Sequence, residues 1–507
     1  MKKINQLKGG VALSYITIFL TNIVGIVLTP FIIRSLGSAE YGLYTMIGAL
    51  IGYMTVLDFG LSATVIRFVA KFKAENDKEG EENFLAHSFI MYACIASLIV
   101  IIGFALYFNL GEIYGDSLTL AQINKAKTMT LILIFNLAIS LPGGVFYGIC
   151  YGRENFLLPK TVNIIKYIIR SLLVVTILLN GGDSISLVIL DTIMNLFIIA
   201  INAYIVFKIL GVRIKMHTYD SKLFSNILAF SIWLFVFAIV QQLRWQFGQL
   251  IIGVYYSTTV VAIYAVGSTL GNYYGSFSNA IASVFLPKAI QMTVKELPGK
   301  ELTDTFIKIS RIILIVLLYI LGAFILIGKD FVFFWVGKEY MMAYYYALII
   351  MIGLTPILSQ GFANNILEAK NLLAYRGRLL LALTVMGTIV GFFVVQKYGV
   401  TEMIIVTVCF MLLERIIMIP YYIKKAEIEM IRYYKEISPL LISFSIPVII
   451  GVIYNDFSPK ENLYVMFSTI LGYTVLYIIS LILFTTKYEK ELFKSIFSKI
   501  PIIKNYI

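Results

Sequence analysis

About fourteen long apolar segments run through this chain of 507 residues, and they limit its fold more than any other feature. Each is long enough to cross a bilayer as a helix, which takes about 20 apolar residues. Hydrophobic residues make up 60% of the chain and charged residues 14%, which excludes a soluble globular protein. The sequence therefore predicts an all-α polytopic membrane protein. The approximate limits of these spans 1 to 14 are 10–33, 41–66, 85–108, 128–149, 161–179, 185–207, 226–254, 258–286, 306–327, 341–366, 379–395, 400–423, 438–454 and 463–485.

The basic residues predict the topology. If the N-terminus is cytoplasmic, only 7 of the 41 lysines and arginines fall in loops that face outward. Cytoplasmic loops of membrane proteins are enriched in these residues, so both termini are expected in the cytoplasm. The same bias accounts for the net charge of +13 without a nucleic-acid partner. The first apolar run is longer than a signal-peptide core and is interpreted as a retained helix.

Several kinds of catalytic site are absent from the sequence. The three cysteines lie in or at the end of apolar segments without metal-ligand spacing, and only two histidines occur. The chain has no phosphate-binding glycine motif, and its loops are too short to fold a nucleotide-binding domain. Paired external carboxylates on a large loop, as expected for a membrane-embedded transferase, are also missing. We therefore expect neither an enzyme nor a bound metal or cofactor.

Span 7 carries the most costly residue, Arg244. On a straight helix it shares one face with Gln241, Trp245 and Gln249, and Gly248 leaves a groove beside them. A central arginine costs about 2.5–3.5 kcal/mol to insert, and such residues usually face a water-filled cavity or a partner. This polar stripe predicts a substrate-binding surface inside the membrane.

Other polar stripes occur in spans 1, 2 and 8. Ser14, Thr17, Thr21 and Gly25 share one face of span 1, which also carries Asn22 as a candidate substrate-binding residue. Span 2 carries Asp58, and span 8 carries Asn272, Ser276, Asn279 and Ser283. Small polar residues can also serve close helix packing, which is the alternative for span 1. The amides of spans 7 and 8 exceed what packing needs, so Asn272 and Asn279 are predicted to line a cavity.

A weak internal repeat divides the chain. Spans 1 and 2 correspond to spans 7 and 8, with Leu43-Tyr44 lining up with Ile263-Tyr264. At a similar offset, Glu154-Asn155-Phe156-Leu157 is echoed by Lys370-Asn371-Leu372-Leu373. This predicts a six-helix lobe at 1–210, a second at 211–425, and two appended helices with a basic tail at 426–507. Substrate sites in repeat-built transporters lie between the repeats.

Span 5 adds two cations, Lys166 and Arg170, on one face near its cytoplasmic end. Such residues can extend to the headgroups, which is one reading of Lys166. The functional reading is a site for an anion such as a diphosphate, because arginine binds it through two hydrogen bonds and lysine as a point charge.

The carboxylates within spans are Asp58, Asp191 and Glu414. Asp58 and Arg67 face opposite sides of a straight helix, and the adjacent Glu414 and Arg415 are expected to diverge. For Asp191 and Glu414 a structural pair with another helix is the default. Coupling to Na⁺ or H⁺, or gating, through Asp58, Arg67, Asp191 and Glu414 stays open.

The chain resembles the polysaccharide (O-antigen type) flippases of the multidrug/oligosaccharidyl-lipid/polysaccharide exporter superfamily. The resemblance covers the whole chain in helix layout and is sharpest in spans 1 and 2. The motifs that carry it are Leu36-Gly37-Ser38-Ala39-Glu40-Tyr41-Gly42-Leu43-Tyr44, Leu57-Asp58-Phe59-Gly60-Leu61, Arg67-Phe68-Val69-Ala70-Lys71, Pro142-Gly143-Gly144 and Tyr151-Gly152-Arg153-Glu154.

The resemblance implies two lobes around a cavity lined by spans 1, 2, 7 and 8, working by alternating access in the bacterial cytoplasmic membrane. The implied substrate is an undecaprenyl-diphosphate-linked oligosaccharide, and a polysaccharide polymerase is a conceivable partner. A lipid II-type flippase would be expected to carry arginines in span 1, which this chain lacks. An ion-coupled drug antiporter would carry a carboxylate in span 1 and would suit Arg244 poorly. Both remain alternatives.

Overall fold

The computed structural model describes residues 6–218, 235–457, 459, 462–486 and 489–490. These residues form long helices joined by short turns, and no strand occurs among them. The helices are α1 Gln6–Leu36, α2 Ser38–Met54, α3 Leu61–Glu75, α4 Lys78–Tyr114, α5 Leu120–Gly152, α6 Leu157–Leu179, α7 Ser184–Tyr204, α8 235–245, α9 Phe247–Tyr255, α10 Thr258–Val284, α11 Leu286–Val294, α12 Gly299–Val336, α13 Met341–Ser359, α14 Gly361–Ala369, α15 Leu373–Lys397, α16 Val400–Tyr421, α17 Met430–Asp456 and α18 Leu463–Phe484.

The predicted class, an all-α multi-pass membrane protein, is confirmed. Within the described ranges, 12 helical stretches are long and apolar enough to cross a membrane. They match the predicted spans except spans 7 and 8, and the beginning of span 7, 226–234, lies outside the described residues. The total of fourteen spans and the side on which the termini lie stay predictions.

Span 2 is not one straight helix, contrary to the sequence prediction. After α2 the chain makes a 3₁₀ turn over Thr55–Asp58, and α3 begins only at Leu61. Phe59 and Gly60 both adopt left-handed backbone, with φ of 50° and 72°. An α-helix cannot continue through such residues, so the break follows directly. The straight-helix geometry assumed for Asp58 and Arg67 therefore does not hold.

The same order of elements occurs twice along the chain. Asn76 and Glu296 end equivalent helices in left-handed conformation, and Glu154 and Asn371 do so at nearly the same offset. A wide π-helical turn follows α7 at Ile205–Ile209 and recurs after α16 at Tyr422–Ala426. The helices α17 and α18 follow the second copy and have no counterpart among the described helices of the first.

The chain forms two compact units, unit 1 at Met1–Ala265 and unit 2 at Val266–Ile507. In unit 1 a buried cluster joins α3, α4 and α5, and the rings of Phe68 and Phe84 stack with centroids 4.9 Å apart. Gly148 and Gly152 of α5 lie so close to Val65 and Val69 of α3 that a methyl group there would come within 2.9 and 2.7 Å. Small residues at this spacing allow close packing of membrane helices. The predicted lobe limits of 1–210, 211–425 and 426–507 stay a prediction.

Candidate functional site

A polar contact joins α8 to the end of α2 within unit 1. The side-chain amide of Gln242 donates a hydrogen bond to the hydroxyl of Thr55 over 3.2 Å. Gly52 lies one turn earlier on α2, and a methyl group there would come 3.9 Å from the amides of both Gln242 and Gln246. The amides of Gln242 and Gln246 thus lie near the Thr55 hydroxyl and the glycine backbone of Gly52, at the point where α2 ends. Such groups can replace water around sugar hydroxyls.

The predicted stripe around Arg244 lies at the end of α8. The helix is interrupted at Gln246, so residues 241–245 belong to α8 and Gln249 belongs to α9. Gln241 is exposed, whereas Arg244, Trp245 and Gln249 are half-buried. The groove expected at Gly248 is absent, because the Tyr264 hydroxyl fills it and would lie 2.2 Å from an added methyl group.

Asp58 is held by neutral groups of unit 1. Its carboxylate accepts hydrogen bonds from the Tyr92 hydroxyl over 2.8 Å and from the Ser62 hydroxyl over 3.2 Å. The Ser62 N–H also points to it, over 3.3 Å, at the start of α3. The side chain therefore ties the break in span 2 to α4, while Arg67 lies exposed on α3.

Arg170 is paired, which changes the prediction for span 5. Its guanidinium contacts both carboxylate oxygens of Asp191 on α7, one of them over 2.9 Å, and the Tyr44 hydroxyl donates to the same carboxylate over 3.4 Å. Asp191 thus has the interhelical partner expected of a structural residue. One turn earlier, Lys166 is half-buried, and no hydrogen bond or ion pair joins it to another described residue.

Glu414 is buried between two arginines in unit 2. It pairs with Arg376 of α15 over 3.3 Å and with Arg415 over 2.9 Å. The expectation that adjacent Glu414 and Arg415 diverge is therefore wrong. The long arginine side chain folds back beside its neighbour because both are buried, with 4% and 1% of their side chains exposed. Burial without a partner would cost more than this bend.

The remaining predicted residues are placed singly. Asn22 is half-buried on α1 in unit 1, and Asn272 is exposed on α10 in unit 2. Asn279 belongs to α10, but its side chain lies outside the described part of the structure. The candidate residues are thus distributed over both units.

Comparison with known proteins adds the family. The model of the polysaccharide biosynthesis protein family matches residues 7–293, more than half of the chain. The chain belongs to this family. The resemblance seen in the sequence motifs is thereby confirmed. No curated protein matches the sequence significantly.

Solved structures share the fold of this polysaccharide biosynthesis protein. The lipid II flippase MurJ in an inward closed conformation is similar with a TM-score of 0.71 and 16% identity, over 95% of this chain and 99% of that one. An inward-facing multidrug resistance MATE family transporter gives 0.59 and 14%, over 80% and 98%. The MATE transporter VcmN of Vibrio cholerae gives 0.55 and 13%, over 83% and 97%. Identities this low establish the fold alone.

Several residues at these sites are not predicted by the sequence patterns. Gln242 and Gln246 do not belong to the stripe of Gln241, Arg244, Trp245 and Gln249, and their i, i+4 spacing is the sequence signal that places them together. Tyr92, Tyr44 and Arg376 hold Asp58, Asp191 and Glu414. Each partner lies on a different helix from its carboxylate, so no local pattern in the sequence connects them.

The Arg170–Asp191 pair yields a testable prediction for this polysaccharide biosynthesis protein. Asp191→Asn is expected to lower the free energy of unfolding by about 2 kcal/mol, because a half-buried guanidinium loses its charged acceptor. Thermal unfolding of the detergent-solubilised protein measures the change. The double variant Arg170→Gln/Asp191→Asn should lose no more stability than the single one. Full stability of Asp191→Asn combined with lost transport would instead assign the pair to function.

Proposed function

We propose that the protein is a flippase for undecaprenyl-diphosphate-linked oligosaccharide in the bacterial cytoplasmic membrane. It turns the polysaccharide repeat unit from the inner to the outer leaflet by alternating access. Membership of a polysaccharide biosynthesis family and a fold shared with the lipid II flippase MurJ support this proposal. A transporter of this kind needs no catalytic residues, metal or cofactor.

The observation that carries the proposal is the polar contact of α8 with the end of α2 in unit 1. Gln242 and Gln246 meet Gly52 and Thr55 there, and Arg244 lies in the same stretch of α8. A hydrated glycan and an anionic diphosphate need such hydrogen-bonding and cationic groups to leave water. The prenyl chain can stay in lipid.

The proposed roles follow from the chemistry of each side chain. Arg244 binds the diphosphate or its first sugar, and Trp245 stacks on a sugar face. Lys166 takes over the inner anion-binding role that the sequence assigned jointly to it and Arg170, because Arg170 already has a carboxylate partner. The amides that contact hydroxyl groups are Gln241, Gln242, Gln246, Gln249, Asn22, Asn272 and Asn279.

For ion coupling we propose Asp58 rather than Asp191 or Glu414. Asp191 and Glu414 are each paired with arginine. Neutralising either carboxylate with a proton or a cation would lose the Coulomb energy of that pair. Asp58 has only neutral hydrogen-bond donors among its named partners, so binding Na⁺ or H⁺ there breaks no ion pair.

A deletion strain carrying Arg244→Gln tests the proposed function. We expect unpolymerised lipid-linked oligosaccharide to accumulate on the cytoplasmic side and surface polysaccharide to fall by about tenfold or more, since a charge-assisted hydrogen bond contributes about 1.5–3 kcal/mol. Arg378→Gln, an exposed arginine on α15, is the matched control and should complement fully. Normal surface polysaccharide in the Arg244→Gln strain would contradict the anion-binding role. Protection against toxic cations by the wild type would favour the antiporter alternative.

A further inference from the structure

A cavity of about 290 Å³ lies in unit 2, at the ends of α12 and α17 and the beginnings of α13 and α18. Two of these helices, α17 and α18, are the appended pair that follows the internal repeat. Under the predicted topology this end of the unit faces the exterior. The cavity is formed by unit 2 residues alone, whereas the polar contact of α8 and α2 belongs to unit 1.

The walls of this cavity are preformed. Asn455 donates from its amide to the Leu326 carbonyl over 2.8 Å and accepts from the Thr469 hydroxyl over 3.0 Å, which ties α17 to α12 and α18. Gly451 lies so close to Leu326 that a methyl group would come within 2.5 Å. The Tyr344 hydroxyl donates to the Ile325 carbonyl over 3.3 Å and holds its ring in place.

Charged groups and aromatic rings line the cavity together. Lys329, Asp330 and Asp456 contribute a formal charge of −1, and Phe333 and Tyr344 contribute rings. The Lys329 ammonium lies 5.7 Å from the Tyr344 ring centroid. No ion pair within 4.0 Å joins Lys329 to Asp456, and Asp456 makes no hydrogen bond with another described residue. The Lys329 ammonium has one side-chain hydrogen-bond partner, Tyr345, and an ammonium has three donors. Its other N–H groups and the Asp456 carboxylate can therefore bind a ligand.

Asp456 stands where a carboxylate is unfavourable for helix stability. It is the last residue of α17, at the negative end of the helix dipole. Local helix stability therefore does not account for an acidic residue at this position. Its position at the rim of a preformed cavity accounts for an acidic residue there.

The lining selects the class of ligand. A net negative charge disfavours a phosphate, and the polar groups disfavour an alkyl chain. The described residues contain no group of three or more metal-ligating side chains. A neutral sugar ring fits, because carboxylates and an ammonium bond its hydroxyls while an aromatic ring covers its apolar face. The volume suits about one ring.

We infer that this cavity is a binding site for one neutral sugar residue of the translocated oligosaccharide, on the exterior side of unit 2. Asp456 and Lys329 bind the sugar hydroxyls, and Phe333 and Tyr344 provide the apolar wall. The inference rests on the proposed function, because the translocated glycan is the source of the sugar. It assigns the appended helices α17 and α18 a part in holding the glycan after it has crossed.

The test uses the full chain in detergent and, as a probe, the oligosaccharide released by mild acid from lipid-linked intermediates of cells that carry the protein. Saturation-transfer NMR titration measures its dissociation constant. Asp456→Ala is expected to weaken binding about tenfold, because a hydrogen bond to a charged group is lost. Removing this charge relieves the helix dipole, so the variant should fold. Asp116→Ala, an exposed acidic residue in unit 1, is the matched control and should bind as the wild type does.

Translocation of the lipid-linked oligosaccharide is measured in parallel, so that the two ideas fail separately. If the wild type translocates and Asp456→Ala binds the probe as tightly as the wild type, the sugar site is refuted and the flippase stands. If even the wild type does not translocate the lipid-linked oligosaccharide, but Asp456→Ala selectively loses probe binding, the sugar site stands and the proposed function is refuted. A wild-type titration that does not saturate also overturns the sugar site.

Discussion

Replacing Arg311 with alanine is expected to lower the free energy of unfolding by about 3–5 kcal/mol, the usual cost of breaking a buried ion pair. The guanidinium of Arg311 on α12 contacts both carboxylate oxygens of Glu489, one over 3.0 Å. It also donates to the backbone carbonyls of Glu436 and, over 2.9 Å, of Phe484. Only 3% and 1% of the Arg311 and Glu489 side chains are exposed. Removing the cation takes the guanidinium donor from two buried carbonyls and leaves the buried carboxylate with the Thr486 N–H and no cation.

Chemical or thermal unfolding in detergent measures this loss, and a double-mutant cycle assigns it to the pair. Arg311→Ala and Glu489→Ala should each destabilise strongly, while the double variant should lose much less than the sum. Arg378→Ala, an exposed arginine, should change stability by less than about 0.5 kcal/mol. Additive losses in the double variant would show that the two side chains do not act as a pair.

Gly42→Ala is expected to cost about 3 kcal/mol, because α2 passes the beginning of α10 at backbone contact. A methyl group on Gly42 would lie 1.8 Å from the Thr258 carbonyl oxygen and 3.2 Å from the Ala262 nitrogen. A backbone atom cannot turn away as a side chain does, so the beginning of α10 must move. Such overpacking typically costs about 1–3 kcal/mol, and a backbone clash lies at the upper end of that range.

Gly48→Ala on the same helix is the matched control. No atom lies within 4 Å of a methyl group at that position. Because alanine is favoured over glycine within a helix, this variant should gain about 0.5–1 kcal/mol. Thermal unfolding of both variants in the same detergent compares them. Equal stability of the two variants would mean that α2 and α10 do not approach this closely.

Much of the fold could be predicted because long apolar segments and their spacing are local properties. Helix breaks were harder to predict. Phe59 takes a left-handed conformation that its residue type disfavours, and only the neighbouring Gly60 is of a type that signals a helix end. The groove expected at Gly248 was also not predictable as filled, because Tyr264, which fills it, comes from the next helix.

The candidate site was predicted in its chemistry but less well in its partners. Arg244 was identified because an arginine in an apolar run is costly wherever the helix lies. Arg170 looked equivalent to Lys166, yet only Arg170 reaches Asp191, and this depends on how α6 and α7 pack. The pairing of Glu414 with Arg415 was missed because burial, which sequence spacing does not report, bends the arginine back onto its neighbour.

The sequence by itself determined that this protein is an all-α membrane protein built from a repeat, and that its membrane region contains charges and amides suited to a polar substrate. These properties depend on residues that are close together in the sequence, so they do not depend on how the helices pack. Only the tertiary structure decided which charges are neutralised, where α2 and α8 are interrupted, and that Gln242 faces Thr55. The ion pairs and the Gln242–Thr55 contact depend on distances between side chains, and helix packing sets those distances. The interruption after α2 depends on the left-handed backbone of Phe59, which its residue type does not predict.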